Sequence, residues 1–301
     1  MKITFFEIQA WEKRLLRKKL QGHTLKLIKE PLTSSNVAEA KKCEVIATFI
    51  ASKVTKDVLA KLPRLRLITT RSTGYDHIDI GAAKQRGVVV CNVPFYGENT
   101  VAEHTFALIL SLSRKVHMSY VRSLRNDFSI EGLMGFDLKD KTLGVVGAGH
   151  IGMHVIRIAR GFGMKVLACD AHPNPFLAEV LGFKYVTLET VLKNSDIISL
   201  HVPYCKETHH LINRKNIKLI KKGALLINTA RGGVVDTHAL IEALDKKILS
   251  GAGLDVIEGE ELIKEEKHLT HIPERAKEMR MLIKDHILLS KENVVFTPHL
   301  A

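Results

Sequence analysis

Cysteine is scarce in this chain: Cys43, Cys91, Cys169 and Cys205 are the only four in 301 residues, widely spaced and without a CxxC pair. That excludes a disulfide framework and zinc-finger spacing, and it reads the four as small buried hydrophobes of a reducing compartment. Long hydrophobic runs are missing as well. No window approaches the ~18 consecutive apolar residues of a membrane span, and the opening MKITFFEIQAWEKR is interrupted by Glu7 and Glu12 before a signal-like apolar segment can form. A cytoplasmic location with no membrane partner is therefore expected. The net charge of +13 raises nucleic acid as a partner, yet basic stretches such as KRLLRKK and INRKNIKLIKK carry no interleaved aromatics. They read instead as solvated helix faces whose field favours small anionic ligands. Glu265, His268 and His271 are spaced for one helical face, but the segment is charge-dense and no metal is expected there.

What is present is 46% hydrophobic residues, enough for real cores, in a chain about as long as two ordinary domains. Short aliphatic runs alternate with helix-period segments from end to end, the signature of parallel βαβ units. ITFF, HTLKLI, VIATFI, LRLITT and VVVCNV are strand-like in the first ninety-odd residues, with helices predicted near WEKRLLRKKL, KDVLAKL and IDIGAAKQRG. Pro94 and Gly97 break this series, and residues 99–125 read as one long helix carrying the chain into a second α/β domain. Strands are predicted there at KTLGVV, 165–170, DIISLHV, ALLINTA, AGLDV and NVVFTP, with Gly163, Gly182 and Gly223 suited to left-handed helix ends.

LGVVGAGHIG places Gly147, Gly149 and Gly152 in G-x-G-x-x-G spacing between an aliphatic strand and a helix. The first permits a tight turn, the second lets a pyrophosphate approach the backbone, and the third lets the helix pack close to the strand. Asp170 ends the next strand eighteen residues past Gly152, where a carboxylate accepts hydrogen bonds from an adenosine ribose and repels a 2′-phosphate. NAD is therefore expected over NADP.

In LLINTARGGVVD, Arg231 closes a buried strand ahead of two glycines. In doubly wound sheets ligands gather at the carboxyl ends of strands, and a guanidinium there suits a carboxylate. Asp255, Glu260 and His299 follow later strands. An imidazole paired with a carboxylate can act as acid or base near neutral pH.

RSTGYDHIDI, NVPFYGENTVAEHTFALIL, GVVGAGHIG, INTARGGVVD, GAGLDVIEGE and NVVFTPHLA, in that order, resemble the signatures of the D-isomer-specific 2-hydroxyacid dehydrogenase family, most nearly its D-lactate dehydrogenase branch. The resemblance implies an α/β fold of two doubly wound parallel-sheet domains with a cleft between them. Residues 1–98 would be a flavodoxin-like substrate domain, 99–297 a Rossmann NAD-binding domain, and 298–301 the start of the chain's return to the first. It implies that Arg231 binds the substrate carboxylate, that Glu260 holds His299, and that His299 protonates the carbonyl oxygen of a 2-oxo acid as NADH delivers hydride. Thr73 and Gly74 would grip the carboxylate through backbone N–H groups, and Tyr96 would face the substrate. His150 and Ile151 would join the three glycines beside the pyrophosphate. Val202 and Pro203 would line the adenosine side, with Thr208, Thr229, Ala230, Arg231 and Asp255 toward ribose and nicotinamide.

The resemblance further implies a homodimer through the long helix near residue 100. Phosphoglycerate dehydrogenases and glyoxylate/hydroxypyruvate reductases share the pattern, as do NAD(H)-sensing corepressor-like binding proteins. Family members continue for about one more helix after the TPHxA motif. The stop at Ala301 would accordingly make this a truncated, inactive fragment or leave the substrate domain without one wall, exposing apolar surface.

Overall fold

The computed structural model describes residues 1–260 and 276–301, so Glu265, His268 and His271 lie outside the described residues. The contacts divide the chain into two units, Met1–Tyr96 and Gly97–Ala301.

In the first unit the aliphatic runs form β1 (Lys2–Phe5), β2 (Thr24–Leu27), β3 (Val45–Thr48), β4 (Leu67–Thr70) and β5 (Val89–Cys91), all parallel, in the order β2-β1-β3-β4-β5. This is the flavodoxin-like order. The helices α1 (Glu12–Lys19), α2 (Lys56–Ala60) and α3 (Ile80–Gln85) fall where helical periodicity predicts them. The alternation of side chains explains why β3 reads as continuously apolar: Val45 and Ala47 enter one hydrophobic cluster and Ile46 the other, so both faces are covered.

The second unit opens with α4 (Glu98–Ser113) and α5 (Val116–Leu124). The single long helix expected over 99–125 is thus two. Lys115 adopts a left-handed conformation with φ +55°, and the Ser113 carbonyl, released from the helix, accepts the Phe136 N–H at 3.0 Å. Apolar periodicity continues through the break and conceals it. Then follow β6 (Thr142–Val146), α6 (His150–Gly161), β7 (Lys165–Cys169), α7 (Pro175–Leu181), β8 (Lys184–Tyr185), α8 (Leu188–Asn194), β9 (Ile197–Leu200), β10 (Ala224–Asn228), α9 (Thr237–Asp245), β11 (Leu249–Leu254), α10 (Ala276–Leu289) and β12 (Val294–Phe296). The two-residue strand β8 is too short to show in a hydrophobic pattern. Gly163 and Gly182 take positive φ at the ends of α6 and α7, whereas Gly223 does so in the turn into β10.

The parallel sheet runs β12-β11-β10-β9-β6-β7-β8. Counted from β6, this is the dinucleotide-binding order with one further strand, and the direction of winding reverses between β6 and β9. Again the faces alternate: Leu226 joins one core and Leu225 and Ile227 the other. Each such burial contributes about 1.5–3 kcal/mol and fixes the register that delivers residues 228–231 to the carboxyl edge.

The four cysteines are not all the buried hydrophobes expected of them. Cys43 is buried, but Cys91 and Cys205 are exposed because they lie at a strand end and in a loop; all four are free thiols. Burial pushes the Cys43 thiol above its ordinary range. Among the described residues no helix is long and apolar enough to cross a membrane.

Candidate functional site

At the switch point β6 is followed by Gly147, whose φ of +93° and close approach to the His201 carbonyl (a Cβ there would lie 2.7 Å away) leave room only for glycine. A Cβ on Gly152 would meet the Gly147 carbonyl oxygen at 2.1 Å, so α6 packs directly on the turn, while one on Gly149 would meet nothing within 4 Å. Close packing at the first and third glycines with open space at the second is what a pyrophosphate over the turn requires. No side chain caps the start of α6, so its first-turn amides, at His150 and Ile151, and the positive end of its dipole suit that anion. Asp170 accepts the Ala148 N–H at 2.6 Å and the His172 N–H at 2.8 Å, tying the turn to the end of β7. These residues fit NAD.

Beside them, the loop after β9 carries His201, Val202 and Pro203. Burial pushes the His201 imidazole down to about 3, so the ring is neutral at physiological pH, and its Nε2 lies 2.8 Å from Ser199 Oγ. The Thr208 hydroxyl donates to the Pro203 carbonyl and accepts the Cys205 N–H at 2.8 Å, closing the turn that follows.

The end of β10 is shaped by Asn228, 1% exposed, whose Oδ1 accepts the Ala230 N–H at 3.1 Å and whose Nδ2 donates to the Arg231 carbonyl at 3.0 Å. Thr229 Oγ1 lies 3.0 Å from Thr105 Oγ1 of α4. Arg231 Nη1 donates to the Ala230 carbonyl at 2.8 Å. A Cβ on Gly232 would come within 2.1 Å of the Ile257 carbonyl, so the arginine turn lies flush against the segment leading to Glu260.

On the neighbouring strands β11 and β12, Asp255 is 1% exposed and carries much of the local order. Its Oδ1 accepts the Thr297 hydroxyl at 2.6 Å and the Leu300 N–H at 2.9 Å, and its Oδ2 accepts the Ala301 N–H at 3.0 Å. Its backbone carbonyl accepts the His299 N–H at 2.9 Å. His104 of α4 adds a contact of 2.8 Å from Nε2 to Thr297 Oγ1. The segment so held keeps His299 at a left-handed φ of +57°, with Nδ1 2.9 Å from Glu260 Oε1. Glu260 and His299 are therefore brought together as paired, and adjacent parallel strands place Arg231, Asp255 and His299 at one sheet edge.

Thr73, Gly74 and Tyr96 belong to the first unit. The loop after β4 is braced by Thr73 Oγ1 donating to the Val93 carbonyl at 3.0 Å and Ser72 Oγ to the Gly74 carbonyl at 2.6 Å; Tyr96 is exposed. Asn228, His104, Thr105 and Thr297 were not foreseen. Only Asn228 left a signal, as a polar residue closing the aliphatic run LLIN.

A seven-stranded parallel sheet with a glycine turn at its switch point, an acid at the next strand end and a carboxylate-paired histidine defines an NAD-dependent oxidoreductase. Residues 106–301 match the family described as "D-isomer specific 2-hydroxyacid dehydrogenase, NAD binding domain". D-lactate dehydrogenase of Aquifex aeolicus, solved with NAD and lactic acid, superposes with a TM-score of 0.90 at 40% identity over 99% of this chain and 88% of that one. D-lactate dehydrogenase of Escherichia coli K12 is 36% identical over 306 residues, covering 100% of this chain and 90% of the relative. Glyoxylate reductase of Thermococcus litoralis is 37% identical over 303 residues, covering 98% and 81% respectively. The chain belongs to the D-isomer specific 2-hydroxyacid dehydrogenase family and is an NAD-dependent enzyme of it.

Proposed function

We propose that the protein interconverts a small 2-oxo acid and its D-2-hydroxy acid, with pyruvate and D-lactate as the preferred pair. The observation that carries this reading is the Glu260–His299 contact of 2.9 Å at the sheet edge that also bears Arg231.

The Arg231 guanidinium matches the substrate carboxylate in charge and planarity and orients the carbonyl. Thr73 and Gly74 are assigned to a second grip on that carboxylate, and Tyr96 to the substrate's side chain. Bound NADH supplies the hydride. With Nδ1 of His299 directed to Glu260, Nε2 is the position that gives a proton to the carbonyl oxygen; in the reverse direction the neutral ring accepts it. Such assistance is worth ~100- to 10,000-fold in rate.

Gly147, Gly149, His150, Ile151 and Gly152 are assigned to the pyrophosphate and Asp170 to the adenosine ribose, each carboxylate oxygen of which keeps acceptor capacity beyond its backbone bond. Val202, Pro203, Thr208, Thr229 and Ala230 line the remainder. Asp255 is assigned to the nicotinamide side, where the three hydrogen bonds its carboxylate accepts make it above all the support of the His299 segment. The exposed apolar residues Val116, Tyr120, Val121 and Leu124 of α5 support a homodimer through this unit, in a cytoplasmic enzyme.

A glyoxylate-reducing role is the second reading, favoured by the comparable identity to the Thermococcus litoralis enzyme. Pyruvate, glyoxylate and hydroxypyruvate offered with NADH and NADPH, with product chirality determined, decide between them. Faster turnover of pyruvate with NADH to D-lactate is expected. Preference for glyoxylate would select the second reading, and no reduction of any 2-oxo acid would remove both.

A further inference from the structure

The turn that carries Arg231 and the loop that carries Glu260 are joined by a side chain from a third segment. His210 donates its backbone N–H to the Gly233 carbonyl at 2.8 Å, and its Nε2 lies 2.8 Å from Glu258 Oε1. One residue therefore touches the arginine turn with its main chain and the Glu258–Glu260 loop with its ring. It does so from a left-handed backbone, φ +48°, which costs a non-glycine residue of order 1 kcal/mol and persists only where surrounding contacts hold it. Those contacts are present: Asn213 Nδ2 donates to the His210 carbonyl at 2.9 Å, the Ile212 N–H donates to the Val234 carbonyl at 3.1 Å, and the His209 ring stacks on that of His210 at 3.9 Å. Thr237 Oγ1 reaches the second oxygen of Glu258 at 3.5 Å. On the other side of the turn, Gly232 lies flush against Ile257, and Gly233 against the Tyr204 ring. The arginine turn is thus gripped between two loops, and the His210–Glu258 contact is the polar link between them.

We propose that His210 and Glu258 are a positioning pair that sets the Arg231 turn and the Glu260 loop in register, acting on substrate-carboxylate binding without touching substrate or cofactor. This rests on the roles proposed above for Arg231 and Glu260. A ring-to-carboxylate link favours this over simple loop packing because both partners are only partly exposed, 33% and 20% at their side chains, so the contact is partly shielded from water.

His210→Asn tests it cleanly, because Asn tolerates the left-handed backbone yet is too short to reach Glu258. Glu258→Ala removes the other partner, and Glu258→Gln keeps an acceptor for the ring. In His210→Asn and Glu258→Ala, KM for the 2-oxo acid should rise about tenfold or more while NADH affinity stays within about twofold, and Glu258→Gln should restore most of the loss. Hydrogen exchange should quicken together in peptides spanning residues 231–236 and 257–260 of both loss variants. Unchanged KM in folded variants, or unchanged exchange in both peptides, overturns the proposal. The exchange measurement does not depend on turnover, so a wild-type protein that reduces no 2-oxo acid would count against the proposed function while the register claim is still decided.

Discussion

Replacing Asp285 with Asn should alter how stability depends on pH. Asp285 lies on α10 with 0% exposure, and neither carboxylate oxygen has a hydrogen-bond partner among the described residues. Burial, reinforced by the charge of Glu258, pushes its carboxyl up from the ordinary 3.8 to about 7. Below about pH 4 the group is protonated in folded and unfolded chains alike. As pH rises from there to about 7, the unfolded chain releases a proton that the folded protein keeps, so stability falls and then levels off. At ~1.4 kcal/mol per pH unit the whole loss is about 4 kcal/mol. Asn has the same shape and cannot ionise; its buried amide costs about 1–3 kcal/mol, comparable to the protonated acid it replaces. Urea unfolding of both proteins across about pH 5 to 8 should therefore show the variant gaining about 2–3 kcal/mol over the wild type along that range. A stability difference that stays constant with pH would mean that burial does not hold Asp285 protonated in the folded protein.

Gly232→Ala should displace the arginine turn, since the new Cβ meets the Ile257 carbonyl at 2.1 Å; KM for the 2-oxo acid should rise with NADH affinity nearly unchanged, and an unaltered KM would contradict the close packing. Gly152→Ala drives a Cβ against the Gly147 carbonyl, so NADH binding, read by fluorescence, should weaken along with a stability loss of about 1–3 kcal/mol. Under the role proposed for Arg231, Arg231→Gln would lose a charge-assisted pair worth about 1.5–3 kcal/mol, so kcat/KM should drop by ~10- to 100-fold or more. Asp170→Asn should narrow the preference for NADH over NADPH in kcat/KM; an unchanged ratio would separate Asp170 from the ribose.

Every strand but β8 is legible in the sequence, chiefly because strands buried on both faces are written as unbroken aliphatic runs, as VIAT and ALLIN show. The glycine turn was legible for a related reason: each of its positions is a local backbone requirement, visible at its own place in the chain. Glu260 and His299 stand out as residues that follow strands, and the resemblance names them a pair, but no local pattern announces the contact, because 39 residues separate them. The same holds for His210 and Glu258, 48 residues apart, and for His104 and Thr297, 193 apart. The break at Lys115 stayed hidden because it leaves the apolar stripe intact on either side, and the rule that places cysteine inside failed at Cys91 and Cys205, where position in the fold outweighs residue type. Asp255 stands out in the sequence as an acid at a strand end, but the backbone N–H groups its carboxylate holds are set by chain path, which composition does not record.

His299, held by Glu260, is proposed to move the proton beside an NAD site that binds cofactor without its help. His299→Ala, compared with wild type for NADH affinity by fluorescence titration and for turnover of pyruvate, tests this directly. Turnover should fall by ~100- to 10,000-fold with NADH affinity within about twofold. Turnover retained at the wild-type level, in a variant that still binds NADH, would take the proton transfer away from His299.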